Sequence, residues 1–257
     1  MEVLCPICHK KLFLQGKQAR CENRHSFDIA KEGYLNFNRH SASSGDAKEL
    51  IDARRSFLQR GYYAFLKDEI VSLTEKYQPE VLCDLACGEG YYTKEMKADM
   101  KFGIDLSRQA LRYASRTDKS TFYLLTSIFE LPFPDESLDM VTTIFAPLAD
   151  REITRVLKKG GLFLYVRPNE RHLYELKEIL YERVRENEIR DIPIEGMEKV
   201  KEYAVSSRPL IDHDGLLDLF HMTPYGVKTG REGREKLENT SEKEVSLDFL
   251  ISIYQKL

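Results

Sequence analysis

The sequence predicts an α/β protein, a doubly wound and mostly parallel sheet preceded by a small N-terminal metal-binding module. Three observations predict it. From residue 81 onward, short apolar runs alternate with amphipathic stretches, as strands joined by crossover helices do. Three of the five cysteines fall within the first 21 residues, an odd count that suits a metal better than a disulfide framework. The length, 257 residues, suits one good-sized core plus something small. A net charge of −3 excludes a histone-like or ribosomal-tail protein, and 42% hydrophobic with 32% charged residues describes an ordinary globular chain. Uncharged runs reach only ten residues, at 120–129 and 140–149, so no membrane span of roughly 18–20 apolar residues is expected. MEVLCPICHK lacks a basic stretch followed by an apolar one, so no secretory signal and a cytoplasmic location are expected.

Residues 1–40 carry no long apolar periodicity and need a staple to fold. The polar run His40–Asp46 reads as a linker, and residues 41–78 as linker and connecting helices. Helices are expected at 47–60 and 62–77, where Phe65, Leu66, Ile70, Leu73 and Tyr77 share one face. Residues 79–257 form the main domain. Strands are expected at 81–85, 101–105, 121–126, 138–145 and 161–166, and helices at 92–97, 108–116 with Ser107 as N-cap, and 151–157. A long helix at 172–188, strands at 200–207 and 245–254, and a helix at 214–222 complete the reading.

Cys5 and Cys8 are followed by Cys21 and His25, a C-x2-C-x12-C-x3-H arrangement. Zinc takes four such ligands in a tetrahedron, and two knuckles deliver them in pairs. Four protein ligands leave no open position, so the zinc is structural. His9 and His40 compete as fourth ligand, but His9 abuts Cys8 and His40 lies beyond the module.

Asp84-Leu-Ala-Cys-Gly88-Glu-Gly90 joins the first strand of the main domain to its first expected helix. Gly88 and Gly90 allow a sharp turn and close approach of a ligand. A dinucleotide fingerprint would place a third glycine at 93, where threonine stands. Asp84 instead suits a cationic amino group. Asp105, 21 residues on, ends the second strand, where an acid commonly receives ribose hydroxyls. An adenosyl amino acid, S-adenosylmethionine, fits these requirements. Asp150 and His172 are weak candidates for a general base, and no catalytic base is assigned.

Cys5-Pro-x-Cys8, Cys21-x3-His25, the run from Phe27-Asp28 through Ala30-Lys31-Glu32-Gly33-Tyr34, Ala53-Arg54-Arg55 and Cys87-Gly88-Glu89-Gly90-Tyr91-Tyr92-Thr93 together resemble the RlmA family. Arg171-His172-Leu173-x-Glu175-Leu176-Lys177 and Met222-Thr223-Pro224 extend the resemblance over nearly the whole length. It implies a Rossmann-like class I methyltransferase that moves a methyl group from S-adenosylmethionine to N1 of a guanine in a hairpin loop of large-subunit ribosomal RNA. It further implies cofactor contacts at Tyr63, Tyr92, Thr93 and His172. One departure is Ala86, where methyltransferase loops usually carry glycine; a left-handed backbone there would cost alanine roughly 1–2 kcal/mol.

Phe145-Ala-Pro-Leu148 lacks the Asn or Asp that commonly holds an exocyclic amine, which suits a ring nitrogen. Residues 1–60 carry 11 Lys and Arg against 7 Asp and Glu, and the rest 28 against 35. Lys10, Lys11, Lys17, Arg20, Arg24, Lys31 and Arg39 could therefore meet RNA phosphates, or be a solvated face. Arg54 and Arg55 could bind RNA or pair with acids. A homodimer sharing an RNA cleft would suit the basic module beside an acidic body. Two other readings are a small-molecule methyltransferase with a purely structural finger, and a non-catalytic zinc RNA-binding protein.

Overall fold

The computed structural model describes residues 2–37 and 48–257. The linker read at 40–46, His40 and Arg39 lie outside the described residues. The chain opens with an antiparallel ribbon of β1 (Leu12–Gln15), β2 (Gln18–Cys21) and β3 (Ser26–Asp28). It then reaches β4 (Leu35–Asn36), which leaves the ribbon. Helices α1 (Lys48–Gln59) and α2 (Ala64–Tyr77) follow, then β5 (Val81–Leu85), β6 (Met100–Asp105), α3 (Arg108–Thr117) and β7 (Thr121–Leu125). Next come β8 (Leu138–Ile144), α4 (Asp150–Val156), β9 (Leu157–Pro168), α5 (Tyr174–Leu180) and β10 (Met197–Ser207). The chain ends with β11 (Leu210–Asp212), α6 (His213–His221), α7 (Tyr225–Lys228), α8 (Arg231–Glu238), β12 (Glu242–Glu244) and β13 (Leu247–Lys256).

Eight strands form one sheet in the order β10-β13-β9-β8-β5-β6-β7-β4. β4 through β9 run parallel, while β13 is antiparallel to both β9 and β10. The sheet is doubly wound about β5, with β6 on one side and β8 on the other, which opens a crevice at the carboxyl ends of these strands. Alternate side chains feed two cores. Leu82, Leu164 and Ile251 meet Phe57, Leu66, Ile70 and Leu216 of α1, α2 and α6. Cys83, Phe102, Val141 and Phe163 meet Ile153 and Val156 of α4 on the opposite face, and this core continues into Cys5, Phe27 and Phe37 of the ribbon.

The ribbon is thus built into the sheet. Leu35 pairs with Leu124 and Asn36 with Leu125, so β4 becomes the sheet's edge strand. Buried Glu32 accepts from Arg116 at 3.0 Å, and the Leu4 amide donates to the Pro132 carbonyl at 2.8 Å.

Two expected helices differ. Residues 92–97 form turns, because the Lys101 ammonium takes the carbonyls of Thr93 (3.0 Å) and Lys94 (2.8 Å). The Lys97 amide goes to Thr74 Oγ1 at 2.9 Å, so the ladder cannot propagate. The helix expected over 172–188 runs only from Tyr174 to Leu180. Beyond it Lys177 Nζ holds the Arg185 carbonyl and Asn187 Oδ1, both at 3.1 Å, and the Asn187 amide returns to the Glu170 carbonyl at 2.8 Å. These tertiary bonds outweigh the local helix preference of residues 181–188.

Candidate active site and metal centre

In the ribbon, the two knuckles bring Cys5, Cys8, Cys21 and His25 together with all ligand atoms within 4.8 Å of one another. Cys8 and Cys21 sulfurs lie 3.7 Å apart, and His25 Nδ1 lies 3.5 Å from the sulfurs of both Cys5 and Cys21. A tetrahedral zinc with ordinary bond lengths requires edges of about 3.8 Å between sulfurs and about 3.6 Å between sulfur and nitrogen. The donor set fits zinc, with Nδ1 as the histidine donor. The backbone N–H of Lys10 lowers the Cys8 thiol to about 6, favouring the thiolate that a metal needs. His9 is exposed with a φ of +53°, its amide donating to the Cys5 carbonyl.

At the carboxyl ends of β5, β6, β8 and β9 lies a cleft of about 1320 Å³. Tyr63, Asp84, Gly88, Tyr92, Asp105 and His172 all line it. The turn after β5 is built from left-handed residues, with φ of +56° at Ala86, +56° at Gly88 and +77° at Gly90. A Cβ on Gly88 would meet no other atom within 4 Å, so the space above this turn belongs to the cleft. Asp105 accepts from the Gly88 amide at 2.8 Å and the Ser107 amide at 2.6 Å, which aims its carboxylate across the turn. The Tyr92 hydroxyl is buried with no hydrogen-bond partner among the described residues. An open glycine turn, an oriented acid and an orphaned hydroxyl are what an adenosyl amino acid would complete.

Asp84 lines the cleft and is also held by the fold beneath it. Its two oxygens accept from Thr93 Oγ1 at 2.5 Å and Thr142 Oγ1 at 2.7 Å, and burial raises its carboxyl to about 6 despite those bonds. Each Asp84 oxygen accepts one hydroxyl of the fold and keeps a second acceptor site, as each Asp105 oxygen does beside its backbone amide. Thr93 is fully buried beneath the turn, its hydroxyl held by Asp84, and does not line the cleft. Gly90 does not line it either: a Cβ there would come within 2.6 Å of the Tyr123 hydroxyl, so this glycine serves packing. His172 lies tilted against Phe249, ring centroids 4.6 Å apart, and accepts from the Asp248 amide at Nδ1, 3.3 Å away. Burial first, and Lys177 second, lower it to about 3, so it is neutral and a poor base. Its proton then sits on Nε2. Asp150 opens α4 away from the cleft lining.

Several cleft residues carried little sequence signal. Arg55 resolves toward acids: it meets Glu89 at 3.2 Å and Asp52 at 3.3 Å, and covers the Tyr113 ring at 4.1 Å, tying α1 to the turn and to α3. Arg54 faces the cleft beside it. Arg167, at the end of β9, also lines the cleft, with a buried Nε lacking a partner among the described residues. Phe145 follows β8 with a φ of +58°. The sequence predicts Phe145 as the last residue of its strand; in the structure β8 ends at Ile144, and Phe145 turns left-handed and stays exposed.

Residues 3–37 match the RlmA N-terminal zinc-ribbon family, and residues 83–165 match a methyltransferase domain family. The chain joins an RlmA-type zinc ribbon to a methyltransferase domain. Its cofactor is S-adenosylmethionine and its ribbon is a structural zinc site. The 23S rRNA (guanine(748)-N(1))-methyltransferase of Streptomyces fradiae is 29% identical over 86% of this chain and 84% of its own. YxjB of Bacillus subtilis, provisionally named a 23S rRNA (guanine-N(1)-)-methyltransferase, is 27% identical over 98% of this chain and 96% of its own. Among solved structures, a chain of the complex between the Haloferax volcanii Trm112 methyltransferase activator and a methyltransferase overlaps with a TM-score of 0.50. At 17% identity, covering 80% of this chain and 93% of that one, it shows the fold alone. No helix among the described residues is long and apolar enough to cross a membrane.

Proposed function

We propose that this methyltransferase modifies N1 of a guanine in a hairpin loop of large-subunit ribosomal RNA. The observation that carries the reading is the pairing of this zinc ribbon with this methyltransferase domain, shared over most of the chain with relatives named for that reaction. The ribbon supports it with an exposed basic surface including Lys10, Lys17, Arg24 and Lys31, and with Phe13 (46% exposed) and Leu14 (69%) on β1. Basic groups can neutralise phosphates, and exposed aromatics can stack splayed bases. We place the enzyme in the cytoplasm, where three thiolates stay reduced, and as a homodimer sharing an RNA cleft.

When bound, S-adenosylmethionine supplies a sulfonium methyl open to direct displacement. In this reading the glycine turn and Asp105 hold the adenosine end, and Tyr63, Tyr92 and His172 contact the cofactor elsewhere along the cleft. Asp84 and Thr93 act from below, locking the turn. The acceptor lies toward the ends of β8 and β9, and the N1 proton leaves to solvent. Alignment at near-attack distance does most of the work. The absence of a polar amide at residues 145–148 suits a ring nitrogen rather than an exocyclic amine.

Incubation with unmodified large-subunit ribosomal RNA and labelled S-adenosylmethionine, then nucleoside digestion and mass spectrometry, tests this. We expect 1-methylguanosine, lost on Cys5→Ser or His25→Ala. No methylated nucleoside, with cofactor binding intact, overturns the reading in favour of a small-molecule acceptor.

A further inference from the structure

Phe145 carries three properties that the fold alone does not require. Its φ of +58° lies in the left-handed region, where a bulky side chain is an outlier that the surroundings must enforce. Here its amide donates to the Val166 carbonyl at 3.0 Å, fixing the turn to the end of the neighbouring strand β9. Its ring is backed by Phe249 at 5.0 Å and Tyr63 at 6.1 Å. Yet Phe145 remains 41% exposed while Tyr63 and Phe249 are buried. An aromatic that could have been packed is instead held on a strained backbone in the wall of the cleft.

Its position adds the third point. Phe145 immediately follows β8, which lies beside β5 on the side away from β6. The glycine turn and Asp105 occupy the β5 and β6 ends, so Phe145 faces the part of the cleft left for an acceptor. Next to it stand Ala146 and Pro147, and Pro147 has no N–H to donate. This wall can offer a ligand contact area and a π-face but little hydrogen bonding.

We propose that Phe145 is the platform on which the methyl acceptor stacks, and that the acceptor is a planar heteroaromatic ring, an unstacked RNA base. This inference rests on the functional reading above and deepens it. The aromatic floor of Phe249 and Tyr63 holds the Phe145 ring in place, so stacking costs little further ordering. The backbone turn aims that ring where an extended continuation of β8 would not. Recognition of the base edge falls to other groups.

Steady-state methylation of a large-subunit ribosomal RNA transcript tests it with Phe145→Leu and Phe145→Tyr, alongside calorimetric Kd values for S-adenosylmethionine. Leucine keeps apolar bulk without the π-face; tyrosine keeps the face. We expect Phe145→Leu to lower kcat/KM for RNA about tenfold to a hundredfold, the range of a lost base–aromatic stack. Phe145→Tyr stays near wild type, and cofactor Kd is unchanged in both. Phe145→Leu at the wild-type rate overturns the stacking role alone. Loss of cofactor binding in parallel with activity also overturns it, assigning Phe145 to the cofactor side. Wild-type protein that methylates no RNA overturns the functional reading itself.

Discussion

The zinc ribbon and the large sheet solve the same problem in opposite ways. The ribbon's strands are three to four residues long and mostly exposed on one side, and four ligand atoms converge beneath them. The sheet is covered on both faces by helices and needs no ligand to order its core. One region overcomes chain entropy with coordinate bonds, the other with buried area. The two are nonetheless continuous, since Cys5, Phe27 and Phe37 share a core with Phe102 and Phe133, and β4 is hydrogen-bonded to β7. The difference teaches where the molecule is conditional: order in the ribbon depends on the metal, and the sheet edge feels that dependence.

Removing the metal breaks the comparison most severely. A structural zinc contributes on the order of 10–16 kcal/mol in small finger peptides. Chelation, or Cys21→Ser, should therefore bring amide exchange in β1 to β3 close to open-chain rates. Protection in β7 should fall next, because its Leu124 and Leu125 lose their pairing with Leu35 and Asn36. β5 and β8, central in the sheet, should stay protected. Hydrogen exchange read by mass spectrometry checks all three. A ribbon that stays protected after verified metal loss would mean that the edge-to-face Phe27–Phe37 contact, at 5.0 Å, suffices to hold it.

What could be read in advance was what is local. The ligand spacing of the ribbon needs only two knuckles, and Ser107 caps α3 by accepting from the Ala110 amide at 3.2 Å, both short-range patterns. The position of Asp105 at the end of β6, in the cleft lining, was legible from the strand pattern. The capture of β4 was not, since two residues show no periodicity and their partners lie far along the chain in β7. The same holds for residues 92–97 and 181–188, where Lys101, Thr74 and Lys177 reach in from elsewhere to take backbone groups. In the site, the hold of Thr142 on Asp84, from 58 residues later in the chain, could not be read from the sequence.

Asp84 offers a milder probe, confined to the sheet. Burial raises its carboxyl to about 6 in the folded chain, against about 3.9 when unfolded. Between those values the folded state binds more protons, so stability falls as pH rises. The advantage is full below about pH 3.9 and lost as pH rises through about 6, a change of roughly 2–3 kcal/mol. Asp84→Asn removes this titration and keeps an acceptor for one threonine. Denaturant midpoints measured from pH 4 to 7 should therefore show a flatter slope in the variant, with amide exchange in the ribbon unchanged. An equal slope in both proteins would place the pH dependence elsewhere.

The smallest effect is expected at Ala86. Its φ of +56° is the conformation that disfavours a Cβ, and alanine there costs roughly 1–2 kcal/mol. Glycine releases that strain but adds freedom to the unfolded chain, an offset of about 0.4–1 kcal/mol. The Ala86 methyl also packs against the core shared with the ribbon, and glycine forfeits that contact. The net gain for Ala86→Gly should be below about 1 kcal/mol, a rise in Tm of no more than a few degrees, roughly 2–4 °C per kcal/mol at this size. Calorimetry on the zinc-loaded protein measures it. A fall in Tm would show that the methyl's packing outweighs the backbone strain, and would tie even the glycine turn to the core it shares with the ribbon.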